Sequence, residues 1–302
     1  MSATPALIPQ IDTRLSSSRK KIKIQFFPLM GMIFLFLLLL LAIFGPNIGG
    51  GWNGPIGTPF LPPGHGHILG TDELGRDVLA RLSYGARLSL AIGSFSLLVT
   101  LVVGIVVGLV ASFGNTLMRN LLMRFTDAMF SFPDILLAIL IAGVLQTHNF
   151  ANNGIFALLT TSGIFPVVVA LSITSWPAYA RLVYTQSVAL KEREFVVASK
   201  ALGASPTYLA FKHVLPQLWA LLAAIATIDL AGLILAESSL SFLGIGVLPP
   251  FPSWGSMINS ARDNMQGHPL WLFWPCLLLS LTIFALNFVG EWLRRMLDKG
   301  QD

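Results

Sequence analysis

Six long runs of apolar residues dominate the pattern of hydrophobic and polar positions along the chain. Each run is close to, or longer than, the roughly 20 residues that a helix needs to cross about 30 Å of hydrocarbon. The runs are Phe26–Phe44, Leu88–Phe113, Leu121–Leu145, Ile164–Ala180, Leu215–Ala236 and Leu270–Val289. The pattern therefore predicts an all-α integral membrane protein with six transmembrane helices.

The third run contains a signal for a break. Asp127 and Asp134 interrupt its apolar sequence, and Ser131-Phe132-Pro133-Asp134 has the composition of a helix start. Serine favours the N-cap position, and proline favours the first helical position. We expect the helix to kink or restart there, with Asp134 capping the backbone N–H groups that the break frees. A role for Asp134 in a transport pathway is the alternative.

Composition narrows the class of protein further. Only 11% of the 302 residues are charged and 54% are apolar, whereas about 25% of residues are charged in typical soluble domains. These values exclude a soluble globular enzyme, a disordered tail and a disulfide-stapled secreted scaffold. The single cysteine, Cys276, cannot form an internal disulfide.

The net charge of +5 is explained by the distribution of the basic residues along the chain. Lysine and arginine concentrate in the N-terminal tail, after the second and fourth runs, and at the C-terminus. By the positive-inside rule, both termini are predicted to be cytoplasmic. The basic excess is thus a topology signal, and it does not predict nucleic-acid binding.

A long Gly- and Pro-rich segment follows the first run, and it contains His65 and His67. The pair could bind a metal ion, but there is no third ligand nearby, so solvated loop histidines are the favoured interpretation. We expect no metal site here.

The sequence Thr71-Asp72-Glu73-Leu74-Gly75-Arg76-Asp77 follows this loop. Thr71 is a suitable N-cap, and the two carboxylates after it favour a helix start. Leu74, Val78 and Leu82 then recur at helical spacing, which predicts a short helix in the membrane interface. Contact with a partner and a purely local capping arrangement both remain open.

Two carboxylates lie in or beside the fifth run. Asp229 is about 13 residues beyond Pro216, or roughly 20 Å along a helix. A carboxylate at that depth is costly, so it should face protein or water. Asp229 and Glu237 could line a route for a cationic group, or each could bond to a neighbouring helix; for Glu237 structural pairing is favoured.

The segment between the fourth and fifth runs is too long and too patterned for a simple turn. Good helix formers extend from Glu194 to Leu202, Gly203 can end that helix in a left-handed conformation, and Ser205-Pro206 can start another. The small residues Ala198, Ala201 and Ala204 allow close approach of another protein. We expect a docking element that fits a groove; an amphipathic connector on lipid headgroups is the alternative.

This segment resembles the cytoplasmic "EAA" loop of ABC importer permeases. The family pattern is Glu-Ala-Ala, three residues, Gly, nine residues, then Ile-x-Leu-Pro. Gly203 and Leu215-Pro216 match it, whereas Val197, Ser199 and His213 depart from it. The peptide and nickel branch of the family tolerates these departures.

Three other motifs are similar to signatures of that branch. They are His67–Asp77, Ser239–Gly246 with the following Pro252-Ser253-Trp254-Gly255, and Ala285–Gly290. The resemblance covers about residues 65–298, and it implies a type I ABC importer permease fold with a cytoplasmic coupling helix between helices 4 and 5.

The hydrophobic pattern, the basic residues and the resemblance together predict an organisation of five parts. They are a cytoplasmic tail (1–23), a first transmembrane helix (24–45), an outer loop with an interfacial helix (46–85), the permease transmembrane domain (86–293) and a second cytoplasmic tail (294–302). The coupling loop, about residues 188–215, lies within the fourth part.

The resemblance also assigns site residues. The ATPase-coupling residues are Glu194, Ala198, Ser199, Leu202, Gly203, Ala204, Ser205 and Pro216. The resemblance implies that a binding protein would dock on Thr71, Asp72, Gly75, Arg76 and Asp77. The assignment of Asp229 and Glu237 to the substrate pathway rests on their positions in and beside the fifth run. No catalytic residue and no metal ligand are expected.

The function implied is that of a permease subunit of an ATP-driven importer in the bacterial inner membrane. It would translocate dipeptides, oligopeptides or related ligands such as nickel chelates. The partners implied are a homologous permease, two cytoplasmic ATPases, an extracytoplasmic substrate-binding protein and membrane lipid. The chain has no Gly-x-x-x-x-Gly-Lys-Ser/Thr motif, so ATP and Mg²⁺ would be bound by partner subunits and this chain would bind no cofactor.

Two rival functions remain from the residues alone. An ion-coupled secondary transporter would use Asp134 and Asp229 as relay groups. A membrane anchor that only recruits a cytosolic enzyme would explain the coupling loop but not the buried carboxylates.

Overall fold

A computed structural model describes residues 26–54, 57–64, 66–147 and 162–298. The predicted tail 1–23, the last four residues and His65 lie outside these residues. The described helices are α1 (Phe26–Phe44), a 3₁₀ helix (Gly45–Gly50), α2 (Val78–Phe113), α3 (Thr116–Phe130), α4 (Asp134–Thr147), α5 (Ile164–Lys191), α6 (Glu194–Ala201), α7 (Pro206–Tyr208), a π-helical segment (Leu209–Val214), α8 (Leu215–Phe242), α9 (Trp254–Arg262) and α10 (Pro269–Asp298).

Five of the described helical segments are long and apolar enough to cross a membrane. The pair α3 and α4 passes the same test when taken together, which gives six spans if the pair is one broken span. The predicted all-α membrane fold is therefore confirmed, and the predicted first span coincides with α1.

The predicted break in the third span is also present. The axes of α3 and α4 differ by 93°. Pro133 has no N–H to continue the helix, and its ring disfavours helical geometry at the preceding residue. Ser131 ends α3: its backbone N–H donates to the carbonyl oxygen of Ala128, and the N–H of Phe132 donates to that of Met129. The expected capping by Asp134 is not seen, since its carboxylate is exposed and accepts no hydrogen bond from a described residue.

The helix predicted to begin at Thr71 is wrong. Residues 71–77 form an irregular turn, and α2 begins only at Val78 with Asp77 as its N-cap. The Asp77 carboxylate accepts a hydrogen bond from the Ala80 N–H at 2.8 Å. Val78 and Leu82 belong to the first turns of α2 itself, so the interfacial helix placed within 46–85 does not exist as a separate element.

A close helix contact joins α2 to α5 through two glycines one helical turn apart. A Cβ atom added at Gly108 would lie 2.7 Å from the carbonyl oxygen of Ala180, and one added at Gly104 would overlap Tyr179. Small residues spaced by four let two membrane helices approach at backbone distance. This seam fixes the central pair of helices.

The other helices pack around this pair in three apolar clusters. One joins α1, α2, α8, α9 and α10 around Leu82 and Trp254. The Trp254 indole N–H donates to the carbonyl oxygen of Leu82 at 3.1 Å. A second joins α2, α4, α5 and α8, and a third packs the π-helical segment against α2 and α5.

Candidate functional site

The coupling loop has the local structure that its residues predict. The helix α6 ends at Ala201, and Gly203 follows with a φ of +87°. A Cβ at Gly203 would meet no atom within 4 Å, so the requirement for glycine there is conformational, not steric. The Ser205 hydroxyl then caps the next turn by accepting from the Tyr208 N–H at 3.2 Å.

The coupling loop exposes apolar side chains. Leu202 at the tip is 90% exposed, and Phe195, Val197, Tyr208 and Phe211 are also exposed. Most other exposed apolar side chains of similar size lie on the membrane helices, where lipid can cover them; Ile68 and Leu74 before α2 and Met265 after α9 are exposed in loops. A group of exposed apolar residues at the end of a bundle marks an interaction surface.

Contacts of His213 hold α6 against the π-helical segment. The Ser199 hydroxyl lies 3.2 Å from His213 Nε2. The His213 ring is also 6.2 Å from the Phe195 ring and 5.6 Å from the Tyr208 ring. His213 thus joins α6 to the π-helical segment, a role that sequence reasoning missed because this residue was visible only as a departure from the family pattern.

The C-terminal end of α5 is tied to the end of α2. The Lys191 ammonium donates to the carbonyl oxygen of Ser112 at 2.6 Å and lies 4.9 Å from the centre of the Phe113 ring. A cation is favoured at the C-terminus of a helix because the last carbonyl groups carry partial negative charge. The coupling loop therefore begins at a fixed point.

The coupling loop continues into the fifth span without interruption. Pro206–Phe242 is one helical segment that contains the π-helical turn Leu209–Val214. Pro216 lacks the N–H that would donate to Lys212, and its ring would crowd that carbonyl in a regular helix. The wider turn directly before Pro216 accommodates this proline, so the helix continues through Pro216.

A cavity of about 340 Å³ lies between α2, α4, α5 and α8. Asp134 and Asp229 both line it, together with Thr100 and Tyr179. The rest of the described lining is apolar or carries small hydroxyl groups, as at Thr174 and Ser175. The structure therefore brings together two carboxylates that the sequence places far apart.

Glu237 lies outside this cavity. Its carboxylate is completely buried, and it accepts hydrogen bonds from the hydroxyls of Ser89 on α2 at 2.7 Å, Ser241 at 2.8 Å and Ser238 at 3.4 Å. The favoured interpretation, structural pairing, agrees with these contacts. The assignment of Glu237 to the pathway is wrong on this geometry, because the residue joins α8 to α2 inside the protein.

The five residues predicted to dock a binding protein mostly hold their own loop together. We call residues 45–77 the α1–α2 loop. Asp72 is 1% exposed, and its carboxylate lies 2.8 Å from Arg76 and 3.3 Å from Arg81. It also accepts from the N–H groups of Leu74 and Arg76 at 2.9 Å.

The remaining members of that set have similar roles. The Thr71 hydroxyl donates to the Thr58 carbonyl at 2.8 Å. Asp77 caps α2 and lies 2.8 Å from Nδ1 of His67, so His67 is paired and not simply solvated. Gly75 has a φ of +74°, and a Cβ there would overlap Gly57. Of the five, Thr71, Asp72, Gly75 and Asp77 are buried, so they offer no surface to a partner.

Burial also affects a carboxyl group beside this set. The pKa of Glu73 is raised by its partial burial and, to a smaller extent, by the neighbouring negative charge of Asp72.

The expectation of no metal site stands as a prediction, and the described residues contain no group of three potential ligands.

The membrane helices, the cavity lined by two carboxylates and the coupling loop together define a class of protein: a polytopic α-helical membrane protein with a transport function. Residues 101–302 match the family described as "Binding-protein-dependent transport system inner membrane component". The chain belongs to this family. Membership confirms the resemblance drawn from the coupling-loop motif and decides against the ion-coupled carrier and the simple anchor.

The relatives with similar sequences are permease proteins. The chain is 37% identical over 281 residues to the di/tripeptide transport system permease protein DppC of Pseudomonas aeruginosa, covering 89% of this chain and 86% of that one. It is 37% identical over 236 residues to the glutathione transport system permease protein GsiD of Pectobacterium atrosepticum, covering 78% and 73%. It is 33% identical over 275 residues to the oligopeptide transport system permease protein OppC of Bacillus subtilis, covering 89% and 84%.

A solved structure shares the fold. A chain of the MetNI methionine ABC transporter, in an inward-facing conformation, matches with a TM-score of 0.57 and 21% identity, over 72% of this chain and 95% of that chain. The predicted type I importer fold is thereby confirmed.

Proposed function

We propose that this chain is a membrane subunit through which an ATP-driven importer moves peptides or related small ligands. Its relatives are named for dipeptides, oligopeptides and glutathione, which supports a ligand with a peptide backbone. The chain would pair with a homologous permease, receive ligand from an extracytoplasmic binding protein, and bind no cofactor itself. ATP and Mg²⁺ would be bound by two ATPase subunits.

The observation that carries this proposal is the exposed apolar tip of the coupling loop. An almost fully exposed leucine beside a glycine in the left-handed region suits insertion into a groove on another protein. The ATPase would hold Glu194, Ala198 and Ser199 on α6, and Leu202, Gly203, Ala204 and Ser205 in the turn. Both termini and the coupling loop would then be cytoplasmic, as the distribution of basic residues predicts.

The test is the variant Leu202→Asp in the complete complex of two permeases, two ATPases and binding protein. Because Leu202 is exposed, the folded stability should change by no more than about 0.5 kcal/mol. Loss of an apolar anchor from a groove should nevertheless reduce ATP-driven dipeptide uptake at least about tenfold. Co-purification of the ATPases should fall with it.

The matched control is Leu74→Asp, which places the same change on an exposed leucine of the α1–α2 loop. It should leave ATPase co-purification unchanged. Normal uptake and normal ATPase binding by Leu202→Asp would show that the coupling loop does not dock as proposed.

A further inference from the structure

The cavity between α2, α4, α5 and α8 carries negative charge without a described counter-charge. Asp134 opens α4 directly after the break at Pro133, and Asp229 lies in the middle of α8. Neither carboxylate forms an ion pair with a residue in the described ranges. No lysine, arginine or histidine is among the described residues that line the cavity.

Buried hydroxyl groups add to these carboxylates. Thr100 is completely buried, lines the cavity, and its hydroxyl has no hydrogen-bond partner among the described residues. Thr174, in contrast, is satisfied within α5, because its hydroxyl lies 3.1 Å from the carbonyl oxygens of Ala170 and Leu171. Buried polar groups are almost always paired, so the Thr100 hydroxyl, unlike that of Thr174, is available to a ligand in the cavity.

Tyr179 supplies a fourth polar group. Its side chain is buried and lines the cavity together with Asp229. The Tyr179 Cβ also belongs to the close α2–α5 contact, where it faces Gly104. Tyr179 is therefore held by a tightly packed part of the bundle, which fixes one wall of the cavity.

This set of groups suits one ligand chemistry. A protonated amine has three N–H donors and no acceptor. The cavity offers carboxylate oxygens and hydroxyl oxygens as acceptors. Its volume of about 340 Å³ is at the small end of the roughly 300–1,000 Å³ of ligand pockets, which suits one end of a peptide. Carboxylates within a membrane span are costly unless water or a cation accompanies them.

We propose that this cavity is a subsite for the positively charged group of the transported ligand, which in a peptide is the protonated amino terminus. The inference rests on the transport function proposed above. Asp134 and Asp229 hold the charge, and Thr100 and Tyr179 supply the remaining polar contacts. The subsite would thus attract a cationic end and disfavour an anionic one.

The first experiment measures the charge preference of the cavity without transport. Cys276 is replaced by serine in the assembled complex, and Ala178, an exposed residue that lines the cavity, is changed to cysteine. The rates of reaction with cationic trimethylammonioethyl and anionic sulfonatoethyl methanethiosulfonate are compared, each divided by the rate with a free thiol. A cavity with two carboxylates should favour the cationic reagent about tenfold or more.

Variants of the two carboxylates then test whether Asp134 and Asp229 cause the preference for the cationic reagent. Asp134→Asn and Asp229→Asn should each lower the ratio, and the double variant should bring it close to unity. Asp263→Asn changes an exposed carboxylate paired with Arg262 outside the cavity, and it should leave the ratio unchanged. A ratio that survives the double variant overturns the proposal, and so does an unreactive cysteine at both Ala178 and Ser175, because a ligand could not enter a closed cavity.

The second experiment measures uptake of alanyl-alanine, whose only cationic group is its amino terminus. The Asp134→Asn/Asp229→Asn variant should transport it about tenfold more slowly than the Asp263→Asn control, with normal ATPase binding. Unchanged uptake together with a lost charge preference would overturn the subsite. Absence of dipeptide uptake by the unmodified complex would instead count against the proposed function, and the labelling ratio would still report on the cavity.

Discussion

The α1–α2 loop and the coupling loop both carry family motifs, but the first buries charged side chains whereas the second exposes apolar ones. The α1–α2 loop encloses Asp72 and Asp77 in hydrogen bonds and ion pairs. The coupling loop leaves Leu202 and Phe211 in contact with solvent. In the first loop the motif maintains the conformation of the loop, whereas in the second it forms a surface.

The comparison shows that a recognisable motif does not by itself indicate a contact with another protein. Burial separates the two cases, because a side chain that is paired inside its own loop has no atoms left for a partner. Experiments that remove paired groups should therefore affect stability in the α1–α2 loop. Experiments on exposed groups of the coupling loop should affect function alone.

The largest effect on stability is expected for Asp72→Ala. The substitution removes the partner of Arg76 and Arg81, and the buried Arg81 guanidinium would lose its carboxylate. Breaking a buried ion pair from one side costs about 3–5 kcal/mol. Thermal unfolding of the purified protein in detergent should show the loss, and proteolysis should begin within residues 57–77.

The control is Asp263→Ala, which breaks the exposed pair with Arg262. It should cost less than about 1 kcal/mol. If both variants unfold at the same temperature as the unmodified chain, then the Asp72 contacts do not stabilise the loop.

A smaller difference in the free energy of unfolding is expected between alanine variants of two glycines that share a left-handed conformation. Gly75→Ala and Gly203→Ala should each cost about 1–2 kcal/mol for the backbone conformation. Gly75→Ala should cost about 1–3 kcal/mol more, because its Cβ would overlap Gly57 and overpacking adds that much. Unfolding curves of the two variants, recorded under the same conditions, test the comparison; equal destabilisation would contradict the close packing of the α1–α2 loop.

The smallest effect is expected for Ser199→Ala. The substitution removes the contact with His213, and a single hydrogen bond contributes about 1 kcal/mol. Hydrogen exchange should become faster in α6 while the spans keep their protection. Ser239→Ala, which removes a hydroxyl bonded within its own helix, should leave α6 unchanged. Unaltered exchange in α6 after Ser199→Ala would mean that His213 does not hold this helix.

The spans and the break at Pro133 could be predicted because hydrophobic length and proline geometry are local properties. The turn at Gly203 and the cap at Ser205 were likewise predictable, since each depends on residues within one helical turn. The two-glycine seam of Gly104 and Gly108 had a signal in the sequence, namely small residues spaced by four, and it was not recognised.

The incorrect predictions have one cause: the side chains concerned have neighbours that are distant in the sequence. Thr71 could not cap a helix because its hydroxyl bonds to Thr58, thirteen residues earlier. Asp134 was expected to cap α4, but the bend turns it toward the cavity that Asp229 lines from another helix. The local pattern contains no information on which helix will pack against which, so side chains whose neighbours come from elsewhere were assigned incorrectly.

The continuous helix Pro206–Phe242 has a mechanical consequence. Glu237, bonded to Ser89, joins this helix to α2 near its far end, and a tilt about that point would make the helix a lever. At 1.5 Å per residue, Pro206 lies about 46 Å from the pivot and Asp229 about 12 Å. A tilt of about 5° would then move the coupling loop by about 4 Å and Asp229 by about 1 Å, a fourfold reduction set by helix geometry alone. A large displacement at the coupling loop would thus become a fine adjustment of the width of the cavity.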